Sequence, residues 1–142
     1  MTKVKTNGKI DMPAEKVWET VRNFGALDEY VEAIASCKVE GSGVGSVRIL
    51  TLQDGGEVHE KLQSLDDEKR LLTYSILSSP LPIRNYTSKM QVKVLSDKQS
   101  EFIWSSEFDV QDAPEQELKE AFKDLYSTGV QGLQKKFSVG YN

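Results

Sequence analysis

Turn-forming residues recur at short intervals through the middle of the chain and divide it into short segments with strand character. The turn clusters lie at residues 41–43, 54–56, 66–68, 78–82 and 96–98. Between them the sequence predicts strands near residues 46–53, 57–65, 70–77, 84–95 and 100–110. Each connection is far too short to hold a crossover helix, so these strands form an antiparallel meander. Such a sheet buries one face only.

Helical periodicity precedes this meander. Residues 1–11 alternate polar and apolar side chains like a strand, and a short amphipathic helix is predicted over residues 13–21. A second short helix is predicted after Gly25, with an apolar stripe formed by Leu27, Tyr30, Val31 and Ile34. The residues from Ser36 onward lead into an extended segment.

A long amphipathic helix is predicted after Pro114, and its apolar stripe contains Leu118, Phe122, Leu125, Gly129 and Leu133. Acidic residues lie early in this helix and lysines lie late, as the helix dipole favours. The order of one strand, two short helices, six strands and one long helix predicts an α+β fold. The last helix is then the only large partner for the inner face of the sheet. No repeat or linker is visible, so residues 1–142 are expected to form a single domain.

The composition excludes several functional classes. The chain has 18 Lys and Arg against 22 Asp and Glu, a net charge of −4, so nucleic-acid binding through a basic surface is not expected. One cysteine and one histidine rule out a disulfide framework and the common metal sites, and no cofactor signature is present. Neither a secretory signal nor an apolar run of membrane-spanning length is visible. We therefore expect a soluble, cytoplasmic protein without metal or cofactor.

Three short motifs, in this order, carry a resemblance to a known family: PAEKVW at 13–18, GVGSVR at 43–48 and LDDEKR at 65–70. With the order of elements, they look like the START-related helix-grip superfamily. Within it the chain resembles the polyketide cyclase/dehydrase-like branch, which is similar to the plant abscisic acid receptors and the birch pollen allergen family. The resemblance implies a curved seven-stranded antiparallel sheet around the long helix, with two short helices after the first strand. It also implies a cavity for a small hydrophobic molecule.

The same resemblance implies a set of ligand-binding residues in that cavity. The polar positions are Arg48, Glu60, Tyr86, Ser88 and Glu107. The apolar wall positions are Leu50, Leu52, Val58, Tyr74, Ile76, Phe122, Tyr126 and Val130. Alternation along the strands independently places several of these side chains on common faces. A mostly apolar cavity with a few polar groups is typical of a small-molecule site.

Two residues that differ from those of the receptors restrict the range of expected ligands. Ala35 stands where the receptors have the lysine that pairs with the ligand carboxylate, and Val130 stands where they have an amide. Abscisic acid itself is therefore not the expected ligand. Residues 53–57 and 79–83 correspond to the receptor gate and latch, and we expect them to form a flexible mouth. The receptors' phosphatase-docking switch is not expected here.

Glu60 and Glu107 could form a pair of cavity carboxylates in which one pKa is raised for general acid or base catalysis. Alternatively, they pair with Arg48 or Lys61, or hold water. Arg48 itself could anchor an anionic ligand or bridge the two glutamates. Tyr86 is the third catalytic candidate.

The tyrosines allow two interpretations. Tyr74, Tyr86 and Tyr126 could donate hydrogen bonds to a carbonyl or enolate oxygen, or they could be packing residues with satisfied hydroxyls. His59 alternates with its neighbours and should point away from the cavity. Cys37 has no nearby histidine to activate it and is expected to be a small buried hydrophobe.

Glu107 conflicts with the alternation of its own strand, because Phe102, Trp104 and Phe108 have the opposite parity and would ordinarily face the core. Either a β-bulge reverses the phase, or the outer face of this strand carries an apolar patch that a partner covers. The second alternative leaves open a homodimer.

Three functions remain. The leading expectation is a non-enzymatic carrier or sensor that encloses a small hydrophobic molecule. The alternative is a cyclase or dehydratase in which Glu60 or Glu107 moves a proton while tyrosines stabilise an oxyanion. A weaker alternative is a protein-interaction module that uses an exposed strand face around Trp104.

Overall fold

A computed structural model describes residues 1–139, which form seven strands, two α-helices and one 3-10 turn. The strands are β1 (Thr2–Ile10), β2 (Ile34–Glu40), β3 (Val47–Leu52), β4 (Glu57–Asp66), β5 (Leu71–Ser78), β6 (Ile83–Val94) and β7 (Ser100–Val110). The helices are α1 (Ala14–Val21) and α2 (Glu115–Val139), and the 3-10 turn is Leu27–Glu29.

All seven strands belong to one antiparallel sheet with the order β1-β7-β6-β5-β4-β3-β2. The strands β2 to β7 are therefore neighbours in chain order, which confirms the predicted meander. Strand β1 closes the series by pairing with β7, from Thr2 opposite Phe108 to Ile10 opposite Ser100. The curved sheet and the long helix α2 together form the expected helix-grip fold.

Local turn chemistry explains why the predicted strand boundaries are confirmed to within one residue for β3 to β7. The β3–β4 hairpin shows it: Gly55 has a φ of +92°, which a residue with a side chain rarely adopts. The Asp54 side chain accepts a hydrogen bond from the Gly56 amide at 2.8 Å. Such signals can be located in a sequence without knowledge of the fold.

The second short helix is shorter than predicted. Only the 3-10 turn Leu27–Glu29 forms, and Ile34 is already the first residue of β2. The Val31 amide still donates to the Leu27 carbonyl at 3.0 Å, but pairing of Ile34 with Leu52 draws the chain into the sheet. The apolar spacing that resembled a helix is therefore produced by a turn, a loop and a strand end.

A β-bulge interrupts β6 near its first residues. Arg84 lies opposite Asp109 and Thr87 opposite Glu107, so two residues of β6 face one residue of β7. Asn85 occupies the bulge with a φ of +57°. The bulge absorbs this extra residue, so that Ile83, opposite Val110, and Tyr86 both face the core.

Helix α2 lies against the inner face of the sheet and approaches it most closely at glycines. A Cβ atom on Gly129 would lie 2.7 Å from the Trp104 ring, and one on Gly132 would collide with the main-chain carbonyl of Tyr30. One on Gly8 of β1 would collide with the Val130 side chain. These contacts fix the depth at which α2 sits, because packed interiors tolerate little added volume.

The inner face of β7 is buried by Phe102, Trp104 and Phe108, each no more than 1% exposed. Trp104 therefore belongs to the core, and the hypothesis of an exposed apolar face around it is wrong. No bulge reverses the phase either, because β7 pairs with β1 without a shift in register. Ordinary alternation leaves Glu107 on the outer face.

We predict that Gly132→Ala lowers the free energy of unfolding by about 1–3 kcal/mol, because the added methyl group meets backbone that cannot move freely. Helix propensity alone would give the opposite sign, a gain of about 1 kcal/mol. Urea denaturation measures the difference, with Gln131→Ala at the neighbouring exposed position as the control, expected within about 0.5 kcal/mol of wild type. A Gly132→Ala protein as stable as wild type would show that the helix does not depend on this contact.

Candidate functional site

A cavity of about 560 Å³ lies between the inner face of the sheet and α2. Its wall is mostly apolar, and the apolar lining residues are Leu27, Val31, Ala33, Ile34, Leu50, Leu52, Val58, Ile76, Leu81, Trp104, Leu118, Ala121, Phe122 and Leu125. The polar lining residues are Gln53, Asp54, Glu60, Tyr74, Tyr86 and Tyr126. This volume and lining lie within the range of small-molecule sites.

The solvent-exposed members of this lining mark the mouth. Ala33 comes from the segment before β2, Gln53 and Asp54 from the β3–β4 loop, Leu81 from the β5–β6 loop and Ala121 from α2. Gln53 is tethered through its backbone amide to the Ala33 carbonyl at 3.2 Å. The structure thus places the segments predicted as gate and latch at the mouth of the cavity.

The buried polar members lie at the opposite, inner end. Glu60 is 5% exposed, and Tyr74, Tyr86 and Tyr126 are no more than 4% exposed. A molecule entering through the mouth would therefore pass the exposed Gln53 and Asp54 and then apolar walls before it reached the buried polar groups.

Glu60 forms a buried ion pair with Arg48, its directly opposite partner across β3 and β4. Arg48 Nε donates to Glu60 Oε1 at 2.8 Å, and Nη2 lies 2.7 Å from the same oxygen. Arg48 Nη1 donates to the Phe24 carbonyl at 3.2 Å. Its guanidinium carbon lies 4.0 Å and 4.6 Å from the ring centres of Phe24 and Tyr74. The guanidinium of Arg48 is thus held by five contacts with three residues, namely Glu60, Phe24 and Tyr74.

Burial and pairing act together on the charges of this ion pair. Burial raises the pKa of Glu60 above its ordinary value, and the positive charge of Arg48 offsets only part of that rise. Burial opposes the charge of Arg48, but Glu60 and the nearby tyrosines outweigh it, so the pKa of Arg48 is raised. The guanidinium therefore stays charged, and Glu60 is the member of the pair that can gain a proton.

A second polar group is a chain of hydrogen-bonded hydroxyls. Tyr126 on α2 donates to Ser106 Oγ at 2.7 Å and is in short contact with the hydroxyl of Tyr86, which lies 3.5 Å from that of Tyr74. Trp104 Nε1 donates at 3.1 Å to the Tyr74 hydroxyl. We call Tyr74, Tyr86, Tyr126 and Ser106 the hydroxyl chain.

Burial in this cluster raises the pKa values of the three tyrosine hydroxyls. It raises the pKa of Tyr74 to about 12, and the pKa values of Tyr86 and Tyr126 lie well above their ordinary value, chiefly for the same reason. The three hydroxyls are therefore uncharged at any physiological pH.

Nine of the residues proposed from the sequence to bind ligand line the cavity: Leu50, Leu52, Val58, Glu60, Tyr74, Ile76, Tyr86, Phe122 and Tyr126. Three others are buried behind the wall. Arg48 is covered by Glu60 and the two rings, Ser88 Oγ accepts from Trp104 Nε1 at 3.1 Å, and Val130 packs against Gly8.

Glu107 is not in the cavity. It lies on the outer face of β7 near Lys3 and Lys89, because Phe108 and Ser106 take the inner positions on either side of it. The structure therefore does not bring Glu60 and Glu107 together as a carboxylate pair, and Arg48 bridges no second glutamate. Arg48 does not line the cavity, so it is not placed to anchor an anionic ligand there.

Other residues singled out from the sequence lie outside the cavity lining. His59 is partly exposed, and its ring contacts Glu57 at 3.2 Å. Cys37 is half-buried, not fully buried as expected, and burial raises the pKa of its thiol. Within residues 1–139, no three side chains of the metal-ligating types converge on one point. Nor does that part of the chain contain a helix that is both long and apolar enough to span a bilayer.

Sequence reasoning missed several lining residues. Trp104 was assigned to a strand face without a site role, although its parity with Phe102 and Phe108 already indicated the inner face. Leu118 and Leu125 were recognised on the apolar stripe of the last helix but not as cavity wall. A stripe that packs and a stripe that lines a cavity have the same periodicity, so the sequence carries no signal that separates them.

Residues 1–138 match the protein family described as polyketide cyclase / dehydrase and lipid transport. The chain belongs to this family. The structure of the protein XoxI from Bacillus cereus has a TM-score of 0.93 to this chain at 31% identity, with 100% of this chain and 99% of that one covered.

Two abscisic acid receptors of Arabidopsis thaliana are relatives in sequence. PYL2 is 29% identical over 135 residues, which cover 89% of this chain and 71% of the receptor. PYL1 is 30% identical over 141 residues, which cover 92% of this chain and 64% of the receptor. The chain thus spans less than two thirds of the length of PYL1.

We predict that Arg48→Met lowers the free energy of unfolding by about 3–5 kcal/mol, because it leaves the Glu60 carboxylate buried without a partner. The double variant Arg48→Met/Glu60→Leu should recover most of this loss, since well-packed apolar residues can replace a buried ion pair. Chemical denaturation of both proteins measures the difference. Equal losses in the single and double variants would show that packing, and not the charge pair, is responsible.

The loss in Arg48→Met should also depend on pH. Without Arg48 the pKa of Glu60 in the folded protein rises further above its unfolded value of about 4.3. Such a group stabilises the fold fully below its unfolded pKa, and this contribution disappears as the pH rises through the folded pKa. Arg48→Met should therefore lose more stability relative to wild type at about pH 8 than at about pH 5. A pH-independent difference would contradict the prediction.

Proposed function

We propose that this protein binds a small hydrophobic molecule in the cavity, as a carrier or sensor. This proposal rests on the cavity of about 560 Å³, which has an apolar wall, an exposed mouth and a few buried polar groups at its inner end. Transfer of an apolar ligand from water into such a cavity is favourable, because apolar surface of both the ligand and the wall is removed from water. The receptor relatives, whose names describe binding of a small molecule, support this proposal.

Abscisic acid is not the ligand proposed. Ala35 is an exposed residue of β2 outside the cavity lining, and no lysine takes the place of the expected carboxylate partner among the described lining residues. The cavity is therefore proposed as a binding site of the same general kind with a different ligand.

Two neighbouring residues of β4 offer a matched test of where the ligand lies. Val58 faces the cavity and is 6% exposed, whereas His59 points away from it. We predict that Val58→Trp weakens binding of the neutral dye Nile red by about tenfold or more, because the indole occupies cavity volume. His59→Trp should leave binding unchanged.

Fluorescence titration measures both affinities, and circular dichroism checks that both variants fold. If wild-type protein bound neither Nile red nor pyrene saturably, the proposal would fail. If both tryptophan variants lost binding equally, the dye would not occupy this cavity.

A cyclase or dehydratase is the second candidate. The observation that favours it is Glu60, a buried carboxyl on the cavity wall whose pKa is raised by burial, as a general acid or base requires. A single such carboxyl lies at the inner end of the described cavity, because Glu107 lies outside it and Asp54 lies at the mouth.

Glu60→Gln separates the two candidates, since the amide oxygen can still accept the hydrogen bond from Arg48. We expect wild type and Glu60→Gln to bind Nile red within about threefold of each other and neither to convert a synthetic linear polyketide thioester. Mass spectrometry of the incubated thioester detects cyclised or dehydrated product. Product formation by wild type that Glu60→Gln abolishes, with dye binding retained, would replace the carrier proposal with the enzyme.

A further inference from the structure

The hydroxyl chain has only one consistent direction. A phenol carries a single proton, and Tyr126 uses its proton to donate to Ser106 Oγ at 2.7 Å. Tyr86 must then donate to the oxygen of Tyr126, and Tyr74 must donate to the oxygen of Tyr86. The protons of Tyr126 and Tyr86 are consumed within the chain itself, and the Tyr74 proton makes the weakest contact, 3.5 Å from the Tyr86 oxygen.

The remaining donors near the inner end of the cavity are committed as well. Trp104 Nε1 is shared between the Tyr74 hydroxyl and Ser88 Oγ, each at 3.1 Å. Arg48 Nε and Nη1 donate to Glu60 and to the Phe24 carbonyl. Arg48 Nη2 lies 2.7 Å from Glu60 Oε1 without an aligned hydrogen bond, but it is buried and Arg48 does not line the cavity. Among the described lining residues there is no lysine, arginine or histidine.

The inner end of the cavity therefore presents hydrogen-bond acceptors to a ligand. The Glu60 carboxylate accepts hydrogen bonds and cannot donate while ionised. It lines the cavity, and its single contact in the hydrogen-bond network of residues 1–139 is Oε1 with Arg48. A ligand group with its own proton can add a hydrogen bond here, whereas a ketone, ether or carboxylate finds no donor.

The charge of the site excludes ions of either sign. Arg48 and Glu60 already neutralise each other inside the protein. An ammonium or carboxylate group brought beside them would be a buried charge without a counter-charge, which is strongly unfavourable. The same argument weighs against an oxyanion hole, because the tyrosine protons that would stabilise an oxyanion are already in use.

Resting on the proposed binding function, we infer that the ligand is an uncharged alcohol or phenol with an apolar skeleton, whose hydroxyl group donates to the Glu60 carboxylate. The three tyrosines of the hydroxyl chain line the same cavity from β5, β6 and α2. The site selects its ligand by hydrogen-bond direction and by neutrality, in addition to shape.

Four pyrenes substituted at the same carbon test this inference: hydroxypyrene, methoxypyrene, pyrenecarboxylate and pyrenemethylammonium. At neutral pH we expect hydroxypyrene to bind about tenfold more tightly than methoxypyrene, because only the former donates a hydrogen bond to a charged acceptor. The carboxylate and the ammonium should bind about a hundredfold more weakly than hydroxypyrene. Pyrene fluorescence or calorimetry gives the four affinities.

The double variant Arg48→Met/Glu60→Leu removes the acceptor while keeping the site neutral. We expect it to retain binding of unsubstituted pyrene and to bind hydroxypyrene and methoxypyrene equally, which no purely structural role of Glu60 would produce. An undiminished preference for hydroxypyrene would overturn the assignment of Glu60 as acceptor. If the variant does not fold, the wild-type series alone decides.

The outcomes separate this inference from the proposed function. Saturable binding with no preference for hydroxypyrene, or with the carboxylate or the ammonium bound most tightly, would overturn the inference and leave the binding function standing. Failure of wild type to bind any pyrene, including the unsubstituted one, would overturn the binding function itself.

Discussion

The buried ion pair between Arg48 and Glu60 is the interaction on which the inner end of the structure depends. It joins β3 to β4 directly, and through the Phe24 carbonyl it also joins the sheet to the loop after α1. The rings of Phe24 and Tyr74 cover the cation on two sides. Removal of one partner would leave the other as a buried charge without a counter-charge, which strongly destabilises the fold. Phe24 and Tyr74 must therefore keep their positions around the guanidinium, although they are otherwise ordinary core residues.

The rest of the cavity is defined by how firmly α2 is held. Glycines at 129 and 132 let the helix approach Trp104 and the Tyr30 carbonyl, and Tyr126 connects it to β7 through Ser106. Lys136 adds an ion pair with Glu29 at 3.1 Å. Apolar packing near the end of the helix and hydrogen bonding at its middle leave the first turns to form the mouth. Leu118, Phe122 and Leu125 from the first half of α2 line the cavity.

Much of the fold was predictable because its determinants are local. Turn residues such as Asp54 and Gly55 mark strand ends regardless of tertiary context, and alternation gave the inner positions of β3, β5 and β6. Leu27 and Ile34 were assigned to one helix because spacing alone does not distinguish a helix from a turn that leads into a strand.

The site was less predictable than the fold. The expectation that Glu107 lies in the cavity came from the resemblance, while alternation on its own strand indicated the opposite and proved the better guide. The choice between an anion anchor and an ion pair for Arg48 depends on which side chain lies across the sheet and which rings cover it. Pairing register and cavity volume are properties of the assembled sheet and helix, and no single segment encodes them.

The bulge at Asn85 shows that β6 can hold an extra residue without a change in the cavity wall. With the bulge present, Ile83 lies opposite the inward-facing Val110 and Tyr86 also faces inward. Without Asn85, ordinary alternation from Ile83 through Arg84 to Tyr86 would give these side chains the same faces. Relatives of this chain could thus differ by one residue in the length of β6 and still present the same side chains to the cavity.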